Sequence, residues 1–215
     1  MKGRFITFEG MEGSGKSTQI TLLADYLRGA GKLVTFTREP GGTPIGDQVR
    51  SILLDPENKG LDPTAELLLY AASRAQHLRE VILPALESGG IVLCDRFSDA
   101  TLAYQGFGRG LDQETIHLLD RIVTSGMRPH LTILLDISPA VGLARARGRN
   151  TACGLEAEAR FENEALAFHD RVRRGYLALA EQERDRVRVV DGSGSVEDIR
   201  MEIRKITDDL LRSAA

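Results

Sequence analysis

Short apolar runs alternate along the chain with longer stretches in which apolar residues recur every three or four positions. The short runs predict five strands, at residues 5–9, 32–37, 91–94, 131–136 and 187–190. The longer stretches have the spacing of amphipathic helices. Because strands that alternate with helices form parallel sheets covered on both faces, the pattern predicts an α/β fold with a five-stranded parallel sheet.

The longest early helix is predicted to begin with Asp62 as its N-cap and a proline in its first turn. Its apolar positions are Leu67, Ala71, Ala75, Leu78 and Ile82, and the stripe is widened by Leu68, Leu69 and Ala72. A stripe of this width fits a helix buried inside one subunit. It equally fits a helix that faces the core on one side and a partner subunit on the other, and periodicity alone leaves both open.

Two later segments are predicted to be loops. Residues 105–110 contain three glycines and follow a helical stretch that is expected to end near Tyr104. Residues 150–159 show no sustained periodicity and predict a mobile loop, after which a helix is expected from about Phe161. Ser195 and Asp198 have the spacing of a capping box for the closing helix.

Composition narrows the class of protein. The 215 residues fit one domain, and a net charge of −3 lacks the basic surplus of nucleic-acid-binding proteins. The two cysteines lie in an apolar run and in a polar loop, which indicates a reducing compartment, and the four histidines lack metal-ligand spacing. No run is long enough to span a membrane, and the first strand begins too early for a signal peptide. We therefore expect a cytoplasmic protein with neither a nucleic-acid nor a membrane partner.

A glycine-rich segment follows the first strand and fits the phosphate-loop pattern G-x-x-x-x-G-K-[ST]. Its backbone N–H groups and the start of the following helix would cradle phosphate, Lys16 would reach the β- and γ-phosphates, and the Ser17 hydroxyl would bind Mg²⁺. The segment predicts a nucleoside-triphosphate site. The residues expected to bind ATP are Gly10, Met11, Glu12, Gly13, Ser14, Gly15, Lys16, Ser17 and Thr18.

Polar side chains stand at three predicted strand ends, which should converge on one cleft at the carboxyl edge of the sheet. Asp95 follows four apolar residues, an arrangement that places a carboxylate near Mg²⁺, although it also fits a turn-capping aspartate. Arg38 and Arg96 would repel each other unless an anion lay between them, so they predict a second phosphate site. The alternative is that they pair with Glu39 and Asp95 inside the protein.

Arginines also cluster near the end of the helix that is predicted to begin at Pro139, at Arg145, Arg147 and Arg149. Residues at this spacing do not share one helical face, so they would fan out, some towards phosphate and some towards solvent. Fixed guanidinium groups stabilise the charge that moves during phosphoryl transfer. The loop after them would let them close over ATP and exclude water, although a solvated basic helix end is also compatible.

Taken together, these motifs resemble the thymidylate kinase family across nearly the whole chain. The matching segments are the strand and loop at residues 8–18, Arg-Glu-Pro-Gly-Gly-Thr at 38–43, Leu-Tyr-Ala-Ala-Ser-Arg at 69–74, Asp-Arg-Phe at 95–97 with Ala-Tyr-Gln-Gly at 103–106, and the arginine-rich segment at 145–149. The resemblance implies one P-loop nucleoside monophosphate kinase domain over residues 1–215, with a lid at about 145–160. It also implies transfer of phosphate from ATP to dTMP with Mg²⁺, usually in a homodimer, on the route to dTTP.

The resemblance also implies roles for single residues. Arg38 and Arg96 would hold the dTMP phosphate, and Arg74 would hydrogen-bond the thymine. The other residues implied at the nucleoside are Glu9, Tyr70, Thr101, Tyr104 and Gln105, with Ser17, Asp95 and Glu9 near the metal.

In one form of the family a catalytic arginine occupies the loop position that is Glu12 here, so this chain resembles the bacterial type whose lid carries the arginines. Arg147 and Arg149 would then act with Lys16 and Arg96 in catalysis. The turn at residues 191–192 would lie near the adenine.

Other functions remain as alternatives. The nearest are a kinase of deoxynucleosides or of other nucleoside monophosphates. A deoxynucleoside kinase would accept a neutral hydroxyl and need a carboxylate base, whereas two arginines opposite the loop favour a phosphorylated acceptor. A P-loop GTPase switch would be expected to carry an Asn-Lys-x-Asp motif, which the sequence lacks, and a nucleic-acid-stimulated ATPase would usually be larger and have a basic groove. A non-catalytic binding module would have no use for both an acceptor-phosphate pair and a lid.

Overall fold

The computed structural model describes residues 3–153 and 160–212, with side-chain positions for all of these except 149–153. Helices and strands alternate along the chain. They are β1 (Arg4–Glu9), α1 (Lys16–Gly29), β2 (Val34–Arg38), α2 (Pro44–Leu54), α3 (Pro63–His77), α4 (Leu83–Glu87), β3 (Ile91–Asp95), α5 (Ser98–Thr101), α6 (Gln113–Thr124), β4 (Leu131–Asp136), α7 (Pro139–Cys153), α8 (Leu166–Gln182), β5 (Val187–Asp191) and α9 (Val196–Arg212). A 3₁₀ turn (Pro56–Asn58) and two π-helical segments (Leu78–Ile82 and Leu102–Gly108) complete them.

The five strands form one parallel sheet in the order β2-β3-β1-β4-β5. The predicted five-stranded parallel sheet is therefore confirmed. The carboxyl ends of β1, β2 and β3 are neighbours, since Asp95 is in register with Arg38 on one side and with Phe8 on the other. This order brings the three polar strand ends to one edge of the sheet.

The main core lies between the sheet and the helices α1 and α9. Ile6, Phe8, Leu93, Ile133 and Val190 contribute side chains that are wholly buried there. Central parallel strands are covered on both faces, which is why β1, β3 and β4 have such continuous apolar runs. Half of the predicted capping box is present: the Ser195 hydroxyl accepts from the Asp198 N–H at 3.2 Å, and the Asp198 carboxylate accepts from that hydroxyl at 2.6 Å.

The prediction of a loop at residues 105–110 is wrong for most of this segment. Residues 105–108 belong to the π-helical segment that continues α5. Its glycines serve close packing rather than a turn: a Cβ on Gly108 would lie 2.7 Å from the Phe168 ring of α8. Glycine at this position therefore lets two helices approach each other.

The region around the predicted lid also differs from the prediction. Helix α7 extends to Cys153, so residues 150–153 are helical, and the rest of the predicted loop lies outside the described residues. Helix α8 begins at Leu166 rather than near Phe161. Phe161 instead lies in a turn, where its ring packs edge-on against Tyr104 with centroids 5.4 Å apart.

The wide stripe of α3 divides into two sides in the structure. Leu67 and Ala71 are buried, whereas Leu68, Ala72 and Ala75 are exposed. Ala75 therefore does not belong to the buried side, to which its spacing had assigned it. Since three small or apolar residues at i, i+4 and i+7 face outward, the helix has a second apolar side that this subunit does not cover.

Candidate active site

A cleft of about 640 Å³ lies at the carboxyl edge of the sheet. It runs from the phosphate loop, past the ends of β2 and β3, to α3 and the π-helical segment. The predicted site residues that line it are Glu12, Gly13, Ser14, Gly15, Lys16, Ser17, Thr18, Arg38, Tyr70, Arg74, Asp95, Arg96, Thr101, Tyr104 and Gln105. Residues that are far apart in the sequence thus meet in one concavity.

Four of the other predicted site residues have a different placement. Gly10, Met11 and Glu9 do not line the cleft. The carbonyl oxygens of Gly10 and Met11 accept from Lys16, and the Glu9 side chain is wholly buried. Arg147 does not line the cleft either, because its Nη2 donates to the carbonyl oxygen of Glu162 at 3.0 Å. The Arg149 side chain lies outside the described part of the structure.

The phosphate loop holds its lysine through backbone carbonyls. The buried Lys16 ammonium donates to the carbonyl oxygens of Gly10 and Met11, at 2.8 Å each, and lies 3.4 Å from the Ser14 hydroxyl. Burial, with Arg96 adding repulsion, lowers the pKa of Lys16 to about 8. The cation is costly in this position, so an anion in the loop would stabilise it.

A close backbone approach requires glycine in the phosphate loop. Gly13 has a φ of 71°, and a Cβ there would lie 2.0 Å from the carbonyl oxygen of Gly142 in α7. The loop therefore packs directly against the helix that carries the lid arginines. Arg145 of that helix lines the cleft and donates to the carbonyl oxygen of Gly192 at 3.1 Å, which brings the predicted adenine turn to the same end.

Arg96 has an unusual backbone and a dense set of partners. Its φ of 71° is in the left-handed region, which a residue with a long side chain rarely occupies and which often marks a functional position. Its Nη2 donates to Glu12 Oε1 at 2.8 Å and its Nη1 to the Tyr176 hydroxyl at 3.1 Å. The guanidinium also lies over the Tyr104 ring, 4.8 Å from its centroid. These contacts aim the guanidinium into the cleft.

Arg38 is held more loosely. Its side chain is half-exposed, and its Nη2 lies 3.6 Å from Asp47 Oδ1. Among the described residues neither Arg38 nor Arg96 forms an ion pair with Glu39 or Asp95, so pairing with these two carboxylates is wrong; Arg96 pairs with Glu12 instead, at 2.8 Å. The two cations line one cleft, which is the arrangement that a bound anion would stabilise.

Glu39 instead anchors Arg74. The buried Arg74 donates through Nε to Glu39 Oε2 at 2.7 Å and through Nη2 to the Phe97 carbonyl and the Thr101 hydroxyl, at 3.0 and 2.8 Å. Its Nη1 lies 3.9 Å from Asp120. Two of its three nitrogens therefore serve to fix its position, and the contact with thymine stays a prediction.

A histidine extends this chain of contacts away from the cleft. His77 Nδ1 lies 3.0 Å from Glu39 Oε1, and its Nε2 lies 2.6 Å from the hydroxyl of Thr37. Because a carboxylate can only accept, His77 donates through Nδ1 and accepts the Thr37 hydroxyl at Nε2. The sequence had shown His77 only as a scattered histidine, and its spacing carried no signal of this role.

Glu9 departs from its predicted role at the nucleoside or the metal. Its carboxyl group is wholly buried, with Oε1 accepting from the Phe97 N–H and Oε2 from the Tyr176 hydroxyl, at 2.7 Å each. Burial, followed by the charge of Asp99, raises the pKa of Glu9 to about 8. These hydrogen bonds tie β1 to α8 and to the residues that follow β3, and Glu9 is not among the residues that line the cleft.

A second buried carboxylate, which the sequence did not single out, organises the far side of the cleft. Glu66 of α3 accepts from Gln105 Nε2 at 2.8 Å, from Arg109 at 3.2 Å and from Arg160 Nη2 at 2.5 Å. Burial alone would raise the pKa of Glu66, but the hydrogen bonds from Arg109 and its other partners lower it. Glu66 therefore links Arg160 to Gln105 in the cleft.

The possible metal ligands are few and consist of oxygen. Ser17 Oγ donates to Asp95 Oδ2 at 3.4 Å, and both side chains line the cleft beside the phosphate loop. No group of three or more histidine, cysteine, aspartate or glutamate residues able to hold a metal occurs in the parts of the chain that the structure describes.

The helices at 3–153 and 160–212 include none that is long and apolar enough to cross a membrane.

The fold and the loop define the class of protein. A parallel sheet whose first strand leads through a glycine-rich phosphate loop into a helix is that of the P-loop NTPases. A family model described as thymidylate kinase matches residues 8–203. The chain belongs to the thymidylate kinase family, whose members are nucleoside monophosphate kinases.

Individual relatives agree with this assignment. A thymidylate kinase from Syntrophotalea carbinolica is 58% identical over 195 residues, which are 91% of this chain and 90% of that protein. One from Trichlorobacter lovleyi is 60% identical over 189 residues, 88% of this chain and 89% of the relative. The crystal structure of thymidylate kinase from Ehrlichia chaffeensis matches with a TM-score of 0.75 at 35% identity, covering 96% of this chain and 98% of that one.

Proposed function

We propose that this protein transfers the γ-phosphoryl group of ATP to dTMP, giving dTDP and ADP, as a single kinase domain. The observation that carries the proposal is that one cleft is lined both by the glycine-rich loop around Lys16 and by Arg38 and Arg96. The loop would bind the phosphates of ATP, and the two arginines would bind the phosphate of the acceptor. Membership of the thymidylate kinase family supports dTMP as the acceptor.

On the donor side, the loop would bind the phosphates of ATP through its backbone N–H groups and the start of α1. Lys16 would leave the carbonyl oxygens of Gly10 and Met11 and bind the β- and γ-phosphates. The exchange is favourable because a buried ammonium with a depressed pKa gains charged partners. A protonated Lys16 then stabilises the charge that moves towards ADP during transfer.

On the acceptor side, Arg96 and Arg38 would orient the phosphate of dTMP for attack on the γ-phosphorus. A phosphate oxygen is a sufficient nucleophile, so the step needs positioning and charge stabilisation rather than a general base. Tyr70, Arg74, Thr101 and Gln105 line the part of the cleft beyond the arginines, where the nucleoside would lie, as does Tyr104.

The residues beside the loop fit a magnesium ion. Mg²⁺ binds oxygen ligands and is usually held by one or two carboxylates together with substrate phosphates, which matches the Ser17 hydroxyl and the Asp95 carboxylate. When bound, Mg²⁺ would neutralise charge on the β- and γ-phosphates. Glu9 does not fit this role, because both its oxygens already accept hydrogen bonds.

The charge over the transferred group would come from the lid at about residues 145–160. The phosphate-loop position that carries a catalytic arginine in one form of the family is Glu12 in this chain, and Glu12 already pairs with Arg96 at 2.8 Å. Arg147 and Arg149 would therefore supply the cation, and Arg147 would first have to release the Glu162 carbonyl. Closure of this lid would also exclude water and so suppress hydrolysis of ATP.

A second copy of the chain is proposed as the partner. The exposed side of α3 with Leu68, together with Ile52 of α2 and Leu118 and Ile122 of α6, presents apolar side chains. These helices adjoin one another, so their exposed positions form one surface suited to a symmetric dimer. Light scattering coupled to size-exclusion chromatography would show the mass of a dimer, and Leu68→Glu should shift it towards the monomer.

The function is tested by a coupled assay of ADP release with ATP and Mg²⁺ and with each nucleoside monophosphate in turn. We expect turnover with dTMP and little with ribonucleoside monophosphates. Thymidine belongs in the same assay, because phosphorylation of thymidine without phosphorylation of dTMP would overturn the proposal. ATP hydrolysis that needs no acceptor and is stimulated by DNA would also contradict it.

A further inference from the structure

Two buried side chains beside the phosphate loop face each other without completing a hydrogen bond. Among the described residues, Glu12 Oε2 and both ring nitrogens of His169 lack a hydrogen-bond partner of good geometry; the nearest backbone groups are those of Glu12 itself and of Phe161. His169 Nδ1 lies 3.7 Å from this oxygen. Buried polar groups are nearly always paired, so two unpaired groups in contact need an explanation.

The surroundings of His169 exclude a bond to solvent. The ring is wholly buried on α8 and packs edge-on against Phe168, with centroids 5.4 Å apart. The Glu12 carboxylate and the backbone of Phe161 are the polar groups beside it, and Glu164 and Arg147 act on it through their charges. Because burial lowers the pKa of His169, the ring is neutral at pH 7 and can carry its proton on Nδ1.

The other oxygen of Glu12 is fully engaged. Oε1 accepts from Arg96 Nη2 at 2.8 Å and from the Tyr104 hydroxyl at 2.5 Å. Glu12 therefore orients two side chains proposed to contact dTMP. Whatever fixes the carboxylate of Glu12 also fixes these two groups.

We propose that His169 is a positioning residue that donates from Nδ1 to Glu12 Oε2 when the phosphate sites are filled, an inference that rests on the proposed function. Lys16 holds the carbonyl oxygen of Met11, next to Glu12 in the loop. When phosphate draws Lys16 away, this stretch of the loop is released. A shift of less than 1 Å then brings the two atoms to hydrogen-bond distance.

The same hydrogen bond would meet a second need during the reaction. An acceptor phosphate competes with Glu12 for Arg96, so the buried carboxylate loses part of its charged pairing as dTMP binds. Donation from His169 keeps the carboxylate hydrogen-bonded at that moment. Arg96 is then free to hold the phosphate without leaving a buried oxygen unpaired.

The test compares His169→Phe with His169→Asn, using steady-state kinetics and thermal unfolding. Phenylalanine keeps the ring but removes the donor, so we expect kcat to fall about tenfold or more and KM for dTMP to rise, with KM for ATP within about twofold. The melting temperature should not fall, because two unpaired buried nitrogens are removed. Asparagine has an amide N–H near the position of Nδ1 and should restore most of the activity.

Thr207→Val is the matched control, because it also removes a wholly buried, unpaired polar atom, in α9 and away from the cleft. Its kinetics should equal those of the parent. A His169→Phe enzyme with parental kcat and dTMP KM would overturn the inference. Equal losses in both His169 variants with a lower melting temperature would overturn it too, since His169 would then be a packing residue.

A measurement on the parent protein covers the case in which the variants fail to fold. Nitrogen NMR of the histidine rings should show His169 protonated on Nδ1, with a hydrogen-bonded shift that appears only when ADP and dTMP are added together. The absence of that shift would contradict the inference. These outcomes can be distinguished from a failure of the proposed function, because in that case the parent enzyme itself would not phosphorylate dTMP.

Discussion

The carboxyl group of Glu9 should make the stability of this protein depend on pH in a way that Glu9→Gln abolishes. Glu9 is wholly buried, and burial raises its pKa from 4.5 to about 8. Between these values the folded protein keeps the proton and the unfolded chain loses it. Each unit of pH in this window therefore favours the unfolded state.

The size of the effect follows from that difference in bound protons. One proton corresponds to about 1.36 kcal/mol for each pH unit. Between pH 5 and pH 7, Glu9 should thus lower the free energy of unfolding by about 3 kcal/mol. Glutamine cannot titrate, so the free energy of unfolding of the variant minus that of the parent should rise by this amount over the same interval.

The measurement is urea unfolding of both proteins at intervals from pH 5 to pH 8, without nucleotide and with EDTA. Asp112→Asn is a suitable control, because hydrogen bonds from Thr115 lower the pKa of Asp112 below its usual 3.8. Its difference from the parent should stay constant above pH 5. A constant difference for Glu9→Gln would refute the reasoning, since it would mean that Glu9 is already ionised in the folded protein.

Other substitutions separate the parts of the cleft. Arg96→Ala should lower kcat/KM for dTMP at least about 100-fold while calorimetry shows unchanged ATP binding, and unchanged turnover would remove Arg96 from the site. Lys16→Ala should do the reverse, weakening ATP binding while dTMP still binds. Glu39→Gln leaves the Arg74 guanidinium without its anion, so KM for dTMP should rise about tenfold in the coupled assay with little change in KM for ATP. Glu66→Gln should lower the free energy of unfolding by about 3 kcal/mol in urea titrations, because the buried Arg160 guanidinium loses its carboxylate, and an unchanged midpoint would contradict this.

Local patterns determined much of this fold. The strand that leads into the phosphate loop, the capping of α3 by Asp62 and the capping box at Ser195 each depend on residues within a few positions of one another. Side-chain periodicity and backbone preferences act over the same short range. The elements and their parallel arrangement could therefore be predicted, and so could the meeting of three polar strand ends at one edge.

Packing changed the predicted boundaries where close contact outweighed local preference. Glycines at residues 106 and 108 are typical of a loop, yet the segment is helical, and at Gly108 the missing side chain leaves the space that Phe168 and Val172 of α8 occupy. Phe161 has the spacing of the following helix but belongs to a turn, where its ring fills the core beside Tyr104. Neither neighbour can be identified from spacing within one element.

The sequence by itself determined the phosphate loop, the pair of arginines opposite it and the family that these motifs indicate. Only the tertiary structure decided what each charged side chain does there. Glu12 pairs with Arg96 across 84 positions, Arg160 with Glu66 across 94, and Tyr176 with Glu9 across 167. Such pairings depend on how α3, α8 and the sheet pack together, and packing also sets the burial that keeps Glu9 protonated. Neither these pairings nor the burial of Glu9 can be predicted from residue type and spacing.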